Sequence, residues 1–421
     1  MSFVYPFLNF LQPGVLFPAL APYRPMLVVS VIAGLTGLRA LLQDDRSDPR
    51  RSYLTHPAFL WLCVFTAVQV ISVYYSGVRA MLEELDFWDV YPIFAAVSLL
   101  IVRDAGDLRR YVWGMMLGAA VVIGFGLYAV AMHLPSIEGG RAGAYGMYEN
   151  HNDYTFIIIQ VLPFAYFYLG LTRGFVARMF LLALLLACVC GVALSLSRGG
   201  IVALVLECGL ILWLRTSGTR RIVAVVAFAL LGAVAIAHQF AAREVNQGAT
   251  YSEELAKQER LELWRAAAHA YLANPVLGVG SRRFHEFAGD YGEISHDDRG
   301  KVAHNTYLEV AADTGTLGLG AFLLMLRAVL RSLRGARSVS ATADGLAQTL
   351  LAAYVSLWAI MLRAVLDAKE HDWSFYTLAV IAIATSALLA RAREEGKAMT
   401  TDPSGTRESP ASVRPIVYGR R

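Results

Sequence analysis

His304, Asn305 and Tyr307 stand at the head of an apolar run, in the stretch His304-Asn305-Thr306-Tyr307-Leu308-Glu309. An imidazole can take a proton from a hydroxyl, while an amide and a phenol can orient the group it acts on. The stretch closes the long polar insert of an otherwise apolar chain, so it falls where a water-exposed segment enters lipid. Ionisable groups at that depth are costly and mark sites. A helix beginning there also presents free N–H groups and partial positive charge, which can hold an anion. The plainer role for His304 or Asn305 is a helix cap.

Two arginines extend this chemistry. Arg198 lies in Ser195-Leu196-Ser197-Arg198-Gly199-Gly200, a tight turn between two apolar runs. Its plainer reading is a side chain snorkelling from a helix end. Arg260 opens Arg260-Leu261-Glu262-Leu263-Trp264-Arg265, with Arg265 as second choice beside it. Leu261, Trp264, Ala268 and Tyr271 with Leu272 recur at helical spacing, which predicts an amphipathic helix stopped by Pro275. Glu253, Glu254, Glu259 and Glu262 could equally hold Arg260 in a surface ion pair. Gly278-Val279-Gly280-Ser281 has the look of a phosphate loop, but no strand precedes it. Guanidinium forks match the oxygens of a diphosphate. With a histidine base and an interfacial helix, they point to transfer from a lipid-linked diphosphate donor to a hydroxyl.

Asn152, in Glu149-Asn150-His151-Asn152-Asp153, heads another apolar run. His151, Asp153, His371 and Asp372 could ligate a metal, yet no recognised ligand spacing appears, so neither metal nor cofactor is expected. Cys63, Cys188, Cys190 and Cys208 all fall in apolar runs and read as packing residues.

The elements that must position these groups follow from hydropathy. The 421 residues are 57% hydrophobic and 17% charged, and mean hydropathy is +0.49. That excludes an ordinary soluble domain and points to an all-α, polytopic membrane helix bundle. Nothing in the composition calls for nucleic acid. Apolar runs near 3–21, 25–43, 57–76, 87–102, 111–133, 153–170, 175–196, 200–214, 222–240, 306–326, 346–366 and 373–390 predict about twelve spans. Pro6, Pro13 and Pro18 make the first a kinked or interfacial helix, and 200–214 is short and holds Glu207. No basic leader with a cleavage site is visible, so no removable signal peptide is expected.

Charge predicts the orientation. One alternating set of connections holds Arg46, Arg50, Arg51, Arg103, Arg109, Arg110, Arg173, Arg178, Arg215, Arg220, Arg221, Arg327, Arg331, Arg334 and Arg337. The other holds only Arg24, Arg79, Arg141, Arg198, Arg363 and Lys369. The arginine-rich set is expected in the cytoplasm. The division that follows is a transmembrane bundle over 1–240, an outward insert over 241–303 containing amphipathic helices, three last spans over 304–391, and a disordered cytoplasmic tail over 392–421.

Taken together, Ser197-Arg198-Gly199-Gly200, Arg260-x-x-x-Trp264 running to Pro275-x-x-Gly278-x-Gly280, and His304-Asn305-x-Tyr307-Leu308 with Gly315 and Gly318 resemble the O-antigen ligase / O-antigen polymerase superfamily. The Asn150–Asp153 stretch is similar to an Asn-containing segment of that family, and the resemblance covers roughly residues 145–335. It implies a bacterial inner-membrane glycosyltransferase that takes a glycan from undecaprenyl diphosphate at the periplasmic face. The acceptor implied is the hydroxyl of lipid A-core or of another glycan, and membrane lipids surround both partners. The resemblance makes His304 the base, and Arg198 and Arg260, with Arg265 as second choice, the grip on the leaving diphosphate. Asn305, Tyr307 and Asn152 complete the expected substrate contacts. Transfer would invert the anomeric centre without a metal. The modest insert favours a ligase, and a polymerase shares the donor. A lipid or sugar transporter would explain many spans and Glu207, but should spread its charges along a path across the membrane.

Overall fold

The computed structural model describes residues 1–43, 48–75, 77, 90–134, 141–224, 226–228, 230, 232–234, 253–294, 300–334, 345–368 and 372–401. Among them every regular element is helical. In chain order they are α1 (Val4–Leu11), α2 (Pro13–Leu16), a 3-10 segment (Pro18–Tyr23), α3 (Pro25–Gln43), α4 (Pro49–Leu54), α5 (Pro57–Tyr75), α6 (Val90–Ile101) and α7 (Ala105–Ala131). After a second short 3-10 turn come α8 (His151–Leu169), α9 (Phe175–Ser195), α10 (Arg198–Arg215), α11 (Glu253–Ala273), α12 (Phe284–Tyr291), α13 (Thr306–Ser332), α14 (Gly345–Arg363) and α15 (Trp373–Thr401).

Seven of the described helices are long and apolar enough to cross a membrane: α3, α5, α7, α9, α13, α14 and the first part of α15. The expectation of about twelve is thus met only in part. The first predicted span breaks into α1, α2 and the 3-10 segment, because Pro13 and Pro18 each restart the chain at a new helix N-terminus. The run at 87–102 yields only the 12-residue α6. Helices α8 and α10 are 19 and 18 residues long, but α8 opens on a polar first turn and α10 carries Arg198, Glu207 and Arg215. Nine residues of the 222–240 run, residues 241–252 and 295–299 of the insert, and the tail beyond 401 lie outside the described residues. Helix α7 starts six residues earlier than predicted. Asp104 caps it by accepting from the Asp107 N–H at 2.7 Å, and Asp107 pairs with Arg103 and Arg110. Those first turns are helical but polar, so hydropathy alone missed them.

Helix α8 lies at the centre. It is buried around nearly its whole circumference and packs on α7, α9, α10 and α14. By contrast α3 and α9 expose Leu27, Leu35, Val176 and Leu186, the surface a lipid chain would cover. The ends of the bundle are tied separately. At one end the Tyr168 and Thr349 hydroxyls lie 2.8 Å apart, and Arg215 donates to Gln348 at 3.0 Å. The beginnings of α8, α10 and α13 and the end of α14 gather at the other.

Candidate active site

Helix α13 begins one residue later than a cap at His304 would require. Asn305 is the cap: its side-chain oxygen accepts from the backbone N–H of Tyr307 at 3.0 Å and of Leu308 at 3.1 Å. The side-chain oxygen is therefore engaged by the helix. Tyr307 likewise donates its hydroxyl to the Met361 carbonyl on α14 at 3.1 Å. His304 stands just ahead of the cap in the left-handed region, φ 51°, and its side chain remains 30% exposed.

What faces His304 is a carboxylate. Its Nδ1 lies 3.5 Å from Oδ1 of Asp367, at the long end of hydrogen-bond distance. The other Asp367 oxygen accepts from Arg363 Nη2 at 3.2 Å. The Asp367 backbone is pinned as well. Its carbonyl accepts from the Thr306 N–H at 2.9 Å and from the Thr306 hydroxyl at 2.7 Å. A carboxylate on Nδ1 selects the tautomer that leaves Nε2 as an acceptor.

Arg363 joins this pair to the Ser197-Arg198-Gly199-Gly200 turn. Its guanidinium sits over the Phe156 ring, 5.0 Å from the centroid, and is buried. A Cβ at Gly199 would come within 2.8 Å of that guanidinium, and one at Gly200 within 2.8 Å of Thr155. The paired glycines thus let α10 close on α8 and α14. Ser197 caps α10 by accepting from the Gly200 N–H at 3.2 Å, and its hydroxyl donates to Asn152 Oδ1 at 2.8 Å. Asn150 caps α8 by accepting from the Asn152 N–H at 2.7 Å. Asn152 therefore lies beside the Arg198 turn. Arg198, half-buried, is the first residue of α10 and adjoins the glycine against which Arg363 rests.

The insert packs on α13. Leu263, Ala266, Ala267 and Ala270 of α11 form a small core with Phe284, Ala303 and Ala312. This corrects the predicted apolar face, since Leu261 and Leu272 are exposed and the buried stripe is rotated round the helix. The reason is the partner: alanines let α11 approach α13 closely, so small residues, not the largest ones, occupy the contact. Arg260 is half-buried and Arg265 exposed. Five residues separate them, roughly 140° of helical rotation, so they do not share a face. The Gly278-Val279-Gly280 turn has a structural role. Val279 and Gly280 donate to the Ala312 and Asp313 carbonyls at 2.9 and 3.1 Å, beside a kink in α13 at Gly315.

Arg363 and Asp367 were not singled out from the sequence as site residues. A signal was present: Arg363 ends an apolar run on the arginine-poor side, the same oddity that marks Arg198. His371 lies outside the described residues.

Seven described helices of membrane-spanning length, with this polar cluster at one end, fit a multi-pass membrane protein. The family described as O-antigen ligase matches residues 180–323, a span that holds Arg198, Arg260, Arg265 and His304. The chain is also similar to the exopolysaccharide production protein ExoQ of Rhizobium meliloti (strain 1021), 25% identical over 284 residues. That match covers 65% of this chain and 64% of the relative's length. Both similarities support the O-antigen ligase / O-antigen polymerase superfamily that the motifs resemble, and the chain spans less than two thirds of the relative's length.

Proposed function

We propose that the protein is an inverting glycosyltransferase of the inner membrane that moves a glycan from undecaprenyl diphosphate to an acceptor hydroxyl of lipid A-core. The observation that carries this reading is the His304–Asp367 pair held by buried Arg363, 3.5 and 3.2 Å apart in turn, beside the Arg198 turn. Asp367 orients the imidazole, and Nε2 takes the acceptor proton. The freed oxygen attacks the anomeric carbon from the face opposite the lipid diphosphate. The C–O bond to the diphosphate breaks, and the leaving group departs with the electron pair. The proton stays on His304 until solvent removes it. Arg198 and Arg260 neutralise the leaving diphosphate, so the reading requires no metal.

Support for Arg260 comes from helix register. Tyr271 and Thr316 hydroxyls lie 2.9 Å apart, and Leu263 shares a core with Ala303 and Leu308. Counting about eleven residues back from each of Tyr271 and Thr316 reaches Arg260 and Asn305. Helices packed side by side in one direction would bring Arg260 level with the head of α13. The site end is opposite the connections that hold Arg173, Arg215 and Arg327, which supports a periplasmic site. Clustering at one end also supports chemistry over transport.

A second reading, chain polymerisation, is favoured by the similarity to a protein named for exopolysaccharide production. Reconstitution with one lipid-linked glycan and two acceptors, lipid A-core and a second lipid-linked glycan, tests both. A single addition to lipid A-core is expected of the ligase. A ladder of longer lipid-linked glycans would transfer the assignment to the polymerase. No transfer to either acceptor from a folded protein would remove the enzymatic reading.

A further inference from the structure

Away from the His304 site, at the opposite end of the bundle, α5, α13, α14 and α15 line an open pocket of about 420 Å³. Arg327 and Arg331 line it. Four residues apart on α13, they face the same way. Among the described residues neither has an ion-pair partner and no carboxylate lines the cavity. Trp61 and Leu324 supply an apolar wall.

The remaining polar groups are already satisfied. His56 accepts from the Ala58 N–H through Nδ1 at 3.1 Å, which leaves the proton on Nε2, and Nε2 donates to the Ser332 hydroxyl at 3.1 Å. Ser332 in turn donates to the Ala328 carbonyl at 3.0 Å. Burial holds the His56 imidazole below its ordinary value, so it stays neutral and adds no charge. The cavity therefore offers two guanidinium groups and an apolar wall. Arg331 also lies in the last turn of α13, where it favours the helix dipole, but that role needs neither Arg327 nor a cavity.

We propose that this cavity binds the phosphodiester headgroup of an anionic glycerophospholipid, with Arg327 and Arg331 on the phosphate and Trp61 against the glycerol and upper acyl chain. Two guanidinium forks match phosphate oxygens, and a basic pocket between membrane helices suits such a headgroup. The site is independent of the transfer reading: it uses none of the residues placed at the His304 end.

The test is thermal unfolding of the full chain in a neutral detergent, titrated with phosphatidylglycerol, phosphatidylcholine or inorganic phosphate. Phosphatidylglycerol is expected to raise Tm saturably, and the other two are not. Arg327→Gln and Arg331→Gln should each weaken the titration midpoint by about fivefold, and the double variant should lose the effect. The single variants keep the test standing where the double does not fold. Arg173→Gln with Arg178→Gln removes the same charge from another connection at that end and should leave the midpoint unchanged. Equal shifts with phosphatidylcholine, a full shift with inorganic phosphate, or equal loss in the Arg173/Arg178 variant would overturn the proposal.

Discussion

His304 adopts φ 51°, in the left-handed region where non-glycine residues are uncommon, and this sets it one residue ahead of the Asn305 cap. Held there it lies at the rim, so its removal costs little apolar burial. His304→Ala should leave a folded protein and lower transfer by about 10²–10⁴-fold, the usual range for a general base. Activity within a few-fold of wild type would reduce His304 to a structural residue. Asp367→Asn keeps the shape but removes the charge that steadies an imidazolium. It is expected to lower kcat with donor KM little changed, which separates positioning from donor binding. Arg198→Lys and Arg260→Lys should instead impair donor use, because lysine keeps charge and loses the fork. If both grip one diphosphate, the double variant costs less than the sum of the singles. Strictly additive losses in a donor titration would separate the two arginines.

The kink in α13 is the element that joins the insert to the bundle. Gly315 has φ 62° and ψ −161°, and a Cβ there would fall 2.4 Å from the Val276 backbone. Across the same junction the Ser72 hydroxyl of α5 lies 2.7 Å from the Leu277 and Asp313 carbonyls. The Asp313 side chain accepts from the Arg282 and Phe284 N–H groups at 2.7 and 2.9 Å. Gly315→Ala would therefore combine a disfavoured backbone, about 1–3 kcal/mol, with overlap against backbone that cannot move aside. A marked fall in Tm is expected. Gly320→Ala in the same helix meets nothing within 4 Å and should leave Tm unchanged or slightly raised. Equal effects of the two substitutions, measured by thermal unfolding in detergent, would show that the junction is not strained by a side chain.

On the scale of the molecule, the arginine-rich connections and the His304 cluster lie at opposite ends of the same helices. A tag in the 215–221 connection should therefore report cytoplasm and a tag near residue 290 periplasm. An outside signal at 215–221 would invert the chain and place His304 against the cytoplasm.

Periodicity, hydropathy and residue type were enough to read an all-helical chain with helices of membrane-spanning length and a resemblance to the O-antigen ligase / O-antigen polymerase superfamily, because each of these is a local property of the chain. The first predicted span was legible as irregular for the same reason: proline acts on its own neighbourhood. Packing decided the rest. The sequence could not show that Asp367, 63 positions from His304, would face its imidazole, nor that Arg363 would be buried against Gly199 and Phe156. It also misplaced the buried face of α11, since hydrophobicity ranks leucine and tryptophan above alanine, whereas a close helix contact selects for size. Which polar groups meet depends on how helices from distant parts of the chain come together, and that is set by shape across the bundle, which no local pattern encodes.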